Sequence, residues 1–290
     1  MNLHVIKIID NMKNYTEFTL EEIKNCINVQ QIEILNLYLN RVKQKDIIAK
    51  LGCTRGQIDT LVKKFKLTRF RSRNNYTLNE NNLHINNLGF CYFLGWFASD
   101  GNLHTTNSNT DVIQFTLKDK EPLQKLIQVL EYTGEIKEYK KLVKTSGSKN
   151  IYYHLAIANK TLVKVINNIF GQDMHNKTYF ISIPKFDNEK ELLMFLRGFW
   201  DGDGCFTLNH ANNCKSATAH CASDIFRKQF CEEMQKINIQ AANINSKLCS
   251  EIRISKKEDF KKFVTWLYSI EPELCLTRKK EKAFSLLQQL

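Results

Sequence analysis

The apolar positions of this chain change period several times, and the changes divide it into elements. Between Gln30 and Leu67, the residues Ile32, Ile34, Leu35, Leu37, Tyr38 and Leu39 line one helical face. Ile47, Ile48 and Leu51 then predict a short amphipathic helix. Gly52 predicts a tight turn and Thr54 a helix cap, and Ile58, Leu61, Val62 and Phe65 form the inward face of the next helix. From Leu88 onward an apolar helix gives way to alternation. Ile113, Phe115 and Leu117 alternate with Val112, Gln114, Thr116 and Lys118, which predicts a half-buried strand. A helix over 121–131, a hairpin over 136–143 and 151–158, and a helix over 161–170 follow. The pattern then repeats. Phe206 and Leu208 alternate with Thr207 and Asn209, and Ala217, Ala219 and Cys221 alternate with Thr218 and His220. A helix spans 224–236. Asn243, Asn245 and Lys247 share one strand, Glu251 and Arg253 alternate with Ile252 and Ile254 in the next, and a helix over 256–268 follows.

The predicted organisation has four parts: a helical module over 1–70, a basic, Asn-rich linker over 71–87, and two α/β halves over 88–180 and 181–290. The two short helices of the first part resemble a helix-turn-helix, with Arg55, Gln57, Asp59 and Lys63 on the outward face of the second. Arg69, Arg71 and Arg73 follow, a basic strap suited to phosphates.

Each half opens on a version of one segment. The first is Phe93-Leu94-Gly95-Trp96-Phe97-Ala98-Ser99-Asp100-Gly101 and the second Leu196-Arg197-Gly198-Phe199-Trp200-Asp201-Gly202-Asp203-Gly204. Each is an apolar helical run with an internal Gly, ending in an Asp and a Gly able to stop the helix in a left-handed turn. Gly95 and Gly198 would let the two helices cross at close backbone distance, with Trp96, Phe97, Phe199 and Trp200 wedged into the flanking cores. That crossing brings Asp100 and Asp203 together at a pseudo-twofold axis. Two close carboxylates repel unless protonated or metal-bound, and hard carboxylate and carbonyl oxygens suit Mg²⁺.

Composition narrows the partners. The chain carries 42 Lys+Arg against 30 Asp+Glu, a formal charge of +12, so a polyanion, most often nucleic acid, is expected. Nine Cys, an odd count without regular spacing and without a Cys-x-x-Cys pair, argue against a disulfide framework and point to a reducing compartment. No secretory signal is evident, and the longest uncharged apolar run, 88–99, is too short for a membrane span. The expectation is an intracellular protein of the cytoplasm, nucleoid or organelle matrix.

The paired motifs, each followed by the same strand and helix pattern, resemble those of the LAGLIDADG homing endonucleases in their single-chain, two-motif form, from Leu88 to the C-terminus. A second signature agrees: Gly171 to Thr178 and Glu273 to Lys280 are polar turns carrying Lys177 and Lys279 where the family has a basic residue reaching the active site. The resemblance implies an α+β fold of two pseudo-symmetric αββαββα halves forming a saddle over duplex DNA, beside the all-α N-terminal module. It implies a monomer making a metal-dependent double-strand break at a long, non-palindromic site, with short 3′ overhangs. Asp100 and Asp203, with Gly101 and Gly204 beside them, would hold Mg²⁺, and Ca²⁺ or Mn²⁺ fit the same sites. Lys177 and Lys279 would act with the two acids in catalysis. Alternation nominates Gln114, Thr116, His154, Thr207, Asn209, Thr218, His220, Asn243, Asn245, Lys247 and Arg253 as base readers. The motif departs from the family pattern at Ala98 and at Arg197. Two other readings carry the same fold: a transcription regulator that has lost cleavage, and a maturase that binds intron RNA.

Overall fold

The computed structural model describes residues 28–40, 42–65, 76–142, 149–209, 214–245, 250–270 and 274–289. Arg69, Arg71, Arg73 and Lys247 lie outside the described residues. The chain divides into two compact units, residues 1–75 and 76–290.

The smaller unit contains helices α1 (Val29–Leu39), α2 (Gln44–Leu51) and α3 (Arg55–Lys64). Capping fixes where they start. Asn28 and Gln31 exchange hydrogen bonds ahead of α1, and Thr54 and Gln57 do the same ahead of α3. Gly52 ends α2 in a left-handed conformation, φ 62°. Ile32, Leu35, Tyr38, Ile47, Ile58, Leu61, Val62 and Phe65 are buried together, a separate small core. Arg55, Gln57 and Lys63 are exposed.

The larger unit repeats one topology twice. The first half runs α4 (Leu88–Ser99), β1 (Asn102–Thr105), β2 (Asp111–Leu117), α5 (Glu121–Leu130), β3 (Lys137–Leu142), β4 (Lys149–Ile157) and α6 (Lys160–Phe170). The second runs α7 (Glu189–Asp203), β5 (Gly204–Asn209), β6 (Cys214–His220), α8 (Asp224–Lys236), β7 (Ala242–Asn245), β8 (Ser250–Ile254), α9 (Lys257–Leu267) and a further helix, α10 (Thr277–Gln288). Each half has one four-stranded antiparallel sheet, ordered β1-β2-β4-β3 and β5-β6-β8-β7. This is the αββαββα pair expected from the sequence.

Each sheet packs one face on helices and leaves the other to solvent, as alternation requires. Ile113, Phe115, Leu155 and Ile157 are fully buried in the first half, as are Ala217, Ala219, Ile252 and Ile254 in the second. The two motif helices α4 and α7 form the spine. Phe90 to Ala98 is buried without a break, because this helix is apolar all round and meets protein on every side. In α7 even Arg197 is buried, its guanidinium donating to the carbonyls of Leu267 (2.7 Å) and Ile270 (3.1 Å).

Two expectations change here. Residues 76–87, read as part of a linker, fold onto the first half: Leu83 is buried, Thr77 N–H donates to Thr133 Oγ1 (2.8 Å) and Asn79 N–H to Leu130 O (3.0 Å). The apolar residues of this stretch are too sparse to show a period, so its packing is invisible in the sequence. The glycines after the motif acids also act differently from expectation. Among the described glycines only Gly52 and Gly171 have positive φ. Gly101 and Gly204 are required for space: a Cβ on Gly101 would lie 2.7 Å from Phe97 Cα, and one on Gly204 2.4 Å from Trp200 O.

Candidate active site and nucleic-acid interface

The site is made where the two motif helices cross. A Cβ on Gly95 would sit 2.0 Å from Phe195 O, and one on Gly198 2.1 Å from Tyr92 O. Each helix therefore lays its backbone against the other through a glycine, and the contact is reciprocal. Helix α4 ends at Ser99 with Asp100 as its cap, while α7 runs on to Asp203. A Cβ on Gly202 would lie 2.6 Å from Asp100 Oδ2, so the first acid lies against the end of the second helix. Strands β1 and β5 begin directly after the acids, so the inner edges of the two sheets flank them.

A carboxylate at a helix C-terminus is unfavourable without a cation, because the last carbonyls already carry partial negative charge. Each helix end receives one. Lys177 Nζ donates to Ala98 O (2.6 Å) and Ser99 O (3.1 Å) and lies 5.5 Å from the Phe97 ring centre. Lys279 Nζ donates to Gly202 O (2.7 Å) and Trp200 O (3.1 Å). The structure thus brings together Asp100, Asp203, Lys177 and Lys279.

The electrostatics follow from crowding. Burial raises the Asp100 carboxyl above its usual range, against the pull of Lys279, Lys177 and a Ser99 hydrogen bond. Asp203 is pushed up to about 6, by burial first and then by the neighbouring Asp100 carboxylate. Burial also brings Lys177 down to about 8, outweighing its attraction to Asp203 and Asp100, and lowers Lys279. Two buried acids, both raised and one of them partly by the other, with hard oxygen donors, fit a divalent cation. Among the described residues no cluster of three or more His, Cys, Asp or Glu side chains competes as a metal site. Gly101 and Gly204 adjoin the acids and are buried, with Gly204 paired to Ala219 in the sheet.

Strand register sorts the expected base readers. In the first sheet Asn102, Gln114, Ala156 and, one step along, Thr116, His154 and Lys137 share the solvent face. Thr116 Oγ1 and His154 Nδ1 are 3.0 Å apart. Burial, helped by Lys137 and His104, lowers the His154 imidazole below its usual range. In the second sheet Cys205, Thr207, Asn209, Ser216, Thr218, His220 and Arg253 share the solvent face, and Thr207 Oγ1 meets Ser216 Oγ at 2.9 Å.

Asn243 and Asn245 depart from expectation. Asn243 is opposite Ile252, on the helix-packed side, and its Oδ1 accepts from Arg227 Nε at 2.8 Å. Asn245 pairs with Ser250 on that same side, so Ala242 and Ile244 hold the solvent positions of β7. In an edge strand this short, polarity does not reveal the face: both asparagines stay exposed at the rim of the helix-packed side, Asn243 as an acceptor for buried Arg227 and Asn245 as an acceptor for Ser250 Oγ.

In the smaller unit, Gln57 spends its side-chain oxygen on the Thr54 N–H (2.7 Å), leaving its amide nitrogen outward. Sequence reasoning missed Tyr139 and Tyr152, stacked 5.9 Å apart on the solvent face of the first sheet beside His154, and Lys137 next to them. The alternation Lys137-Glu138-Tyr139-Lys140 carried that signal. It also missed Tyr92, whose hydroxyl donates to buried Asp201 (2.9 Å).

Residues 90–171, which contain the first motif, match the model of the LAGLIDADG-like domain. No curated protein matches the chain. Among solved structures, the homing endonuclease I-WcaI bound to its DNA recognition sequence is similar at 16% identity and a TM-score of 0.51, over 81% of this chain and 96% of that one. The LAGLIDADG meganuclease I-AabMI bound to uncleaved DNA gives 12% and 0.46, over 68% and 90%. The N-terminal LAGLIDADG domain of DUF199/WhiA gives 14% and 0.44, over 70% and 88%. The likeness to I-WcaI is one of fold.

Proposed function

From a chain that carries a LAGLIDADG-like domain within a two-half LAGLIDADG fold, we propose a site-specific endonuclease that cuts both strands of a long, non-palindromic DNA target with the help of Mg²⁺. One observation carries the reading. Two carboxylates end two reciprocally crossed helices, each helix end holds a lysine, and two polar sheet faces flank the pair. The DNA-bound state of I-WcaI supports a duplex as the partner.

Asp100 and Asp203 would hold the cation. It would supply a more acidic bound water and neutralise charge on the leaving oxygen. The remaining work falls to the chain. Lys177 and Lys279 offset the negative ends of the helices, so the site admits a phosphate despite its two acids, and they meet charge as it develops in the transition state. Gln114, Thr116 and His154 on one sheet, and Thr207, Asn209, Thr218, His220 and Arg253 on the other, offer mixed donors and acceptors to base edges in the major groove. The two faces differ residue by residue, so the target need not be symmetric. The first unit would extend the contact through Arg55, Lys63 and the amide nitrogen of Gln57, with Arg69, Arg71 and Arg73 on phosphates.

The test is incubation of the full chain with a randomised duplex library and Mg²⁺, followed by sequencing of cut ends. A recurrent long site with short 3′ overhangs is expected. Ca²⁺ in place of Mg²⁺ should keep binding and stop cutting. Enrichment of one site by binding, with no cut ends in any divalent metal, would instead make the chain a DNA-binding regulator.

A further inference from the structure

One buried carboxylate has no part in the chemistry above. Asp201 is 1% exposed, two residues before Asp203 on α7. Its Oδ2 accepts from the Leu276 backbone N–H (2.6 Å) and from the Tyr92 hydroxyl (2.9 Å). Its Oδ1 has no hydrogen-bond partner among the described residues.

Leu276 caps α10, and Lys279 is three residues on, its own N–H donating to Leu276 O (3.0 Å). Residues three apart on a helix share a face, so whatever fixes Leu276 fixes where Lys279 points. The helix that holds the anchor is also the helix that receives the lysine, through the carbonyls of Trp200 and Gly202. Neighbouring tethers restrain the same segment. Arg197 Nη1 donates to Leu274 O (3.5 Å), Lys125 Nζ donates to Cys275 O, Thr277 donates to Glu121, and Arg278 Nε donates to Asp119 Oδ2 (2.8 Å). Of these contacts, the Asp201–Leu276 bond is the one closed off from water on both sides.

The corresponding motif position of the first half is Ala98, which offers no carboxylate. Lys177 is held differently, at the start of a single 3-10 turn after a segment where His175 Nδ1 meets Asp173 (2.6 Å) and His175 Nε2 meets Thr105 Oγ1 (3.2 Å). The two lysines reach equivalent carbonyls by unlike supports.

We infer that Asp201 is a positioning residue for Lys279: by accepting the Leu276 N–H it sets the start of α10, and so serves the cut made with Lys279 and not the cut made with Lys177. This rests on the endonuclease reading. Asp201 also attracts Lys279 by its charge, but positioning through Leu276 requires only an acceptor. An Asn at this position can keep an oxygen on both donors and place its NH₂ where the unpartnered oxygen lies.

The experiment uses the full chain and a duplex recovered from the library by the wild type. Strand-resolved cleavage is followed at saturating enzyme for Asp201→Ala, Asp201→Asn, Lys279→Met and the double variant Asp201→Ala/Lys279→Met. Hydrogen exchange at the Leu276 amide is read separately without DNA. Asp201→Ala should free the Leu276 amide. It should slow the strand that Lys279→Met slows by about ten- to a hundredfold, on the scale of a misplaced catalytic group, and leave the other strand near wild type. Asp201→Asn should restore most of the rate, and the double variant should be no slower than Lys279→Met. Equal slowing of both strands, or a double variant slower than Lys279→Met, would overturn the proposal. If Asp201→Ala does not fold, Leu276→Pro removes the donor from the other side of the bond, at a φ of −76° that proline adopts, together with part of a buried side chain; the same strand-selective slowing is expected. A wild type that cuts no duplex would refute the endonuclease reading. The exchange measurement still decides then, since an unchanged Leu276 amide in Asp201→Ala would remove the anchor itself.

Discussion

The two halves of the larger unit share a topology and differ in how they support the same site. Their spines are reciprocal: Gly95 against Phe195 O and Gly198 against Tyr92 O are near mirror statements. Their lysines are not. Lys177 follows Asn176 in a left-handed conformation (φ 91°) and opens a single short 3-10 turn, tied by half-exposed hydrogen bonds from His175 to Asp173 and Thr105. Lys279 lies in the first turn of a helix whose start is anchored to a fully buried carboxylate. The difference teaches that pseudo-symmetry is held strictly where two backbones touch, because no side chain can adjust there. It is relaxed where a long flexible lysine can reach the same carbonyls from different supports.

The largest effect should come from the symmetric part. Gly95→Ala and Gly198→Ala each force a methyl into a backbone carbonyl, and each should cost about 3 kcal/mol or more. Thermal unfolding of either variant should begin roughly 10 °C lower for a unit of this size. Similar losses support the reciprocal crossing, whereas a silent Gly198→Ala beside a crippled Gly95→Ala would break it.

Next come the lysines. Lys177→Met and Lys279→Met should each slow cleavage about ten- to a thousandfold, with little change in affinity. Ionic strength should separate them. Hydrogen bonds to solvent-exposed carboxylates such as Asp173 and Asp111 are screened by salt and buried contacts much less, so at saturating enzyme the strand dependent on Lys177 should lose rate first as salt rises. Equal salt profiles for both strands would show that the supports do not matter.

A smaller effect tests the sheet faces. Asn243→Ala should destabilise the protein by about 1–2 kcal/mol, because the guanidinium of buried Arg227 loses one of its acceptors. It should leave base preference unchanged, while Thr218→Ala on the solvent face should alter preference at constant stability. A cleavage-site logo shifted by Asn243→Ala would put that residue on the DNA.

The smallest effect concerns the contact from Glu121 to the C-terminal segment. Burial raises this carboxyl, but hydrogen bonds from Lys125 and Thr277 win and hold it below its usual range. A depressed folded value means stability present above the unfolded value of 4.5 and lost as pH falls through the folded one. The group is over a third exposed, so screening limits Glu121→Gln to under about 1 kcal/mol at pH 7. The gap between wild type and variant, read from urea unfolding, should shrink as pH falls below 4.5 and close once the folded carboxyl is protonated. A gap that widens in acid would reverse the sign.

Most of the site was legible in the sequence because the chemistry sits at fixed offsets from helix signals. Asp100 and Asp203 end apolar runs with an internal glycine, and Lys177 and Lys279 follow recognisable polar turns. What stayed hidden depends on contacts between segments far apart in the chain. The face that Asn243 takes goes with its bond to Arg227, on the helix packed against that side. The packing of residues 76–87 is set by Thr133 and Leu130. Asp201 reads as one more acid in a motif until Leu276 arrives from the far end of the chain. Handedness was also over-read at Gly101 and Gly204, where the constraint is room beside Phe97 and Trp200.

The central claim is that two acids, one from each half, cut one duplex. The direct measurement compares Asp100→Asn and Asp203→Asn with the wild type on the selected duplex in Mg²⁺, following double-strand cleavage and binding in parallel. Both variants should bind within a few-fold of the wild type and lose double-strand cleavage by about a thousandfold or more, the scale of removing a group that stabilises the transition state. Cleavage by either variant at the wild-type rate would contradict the claim.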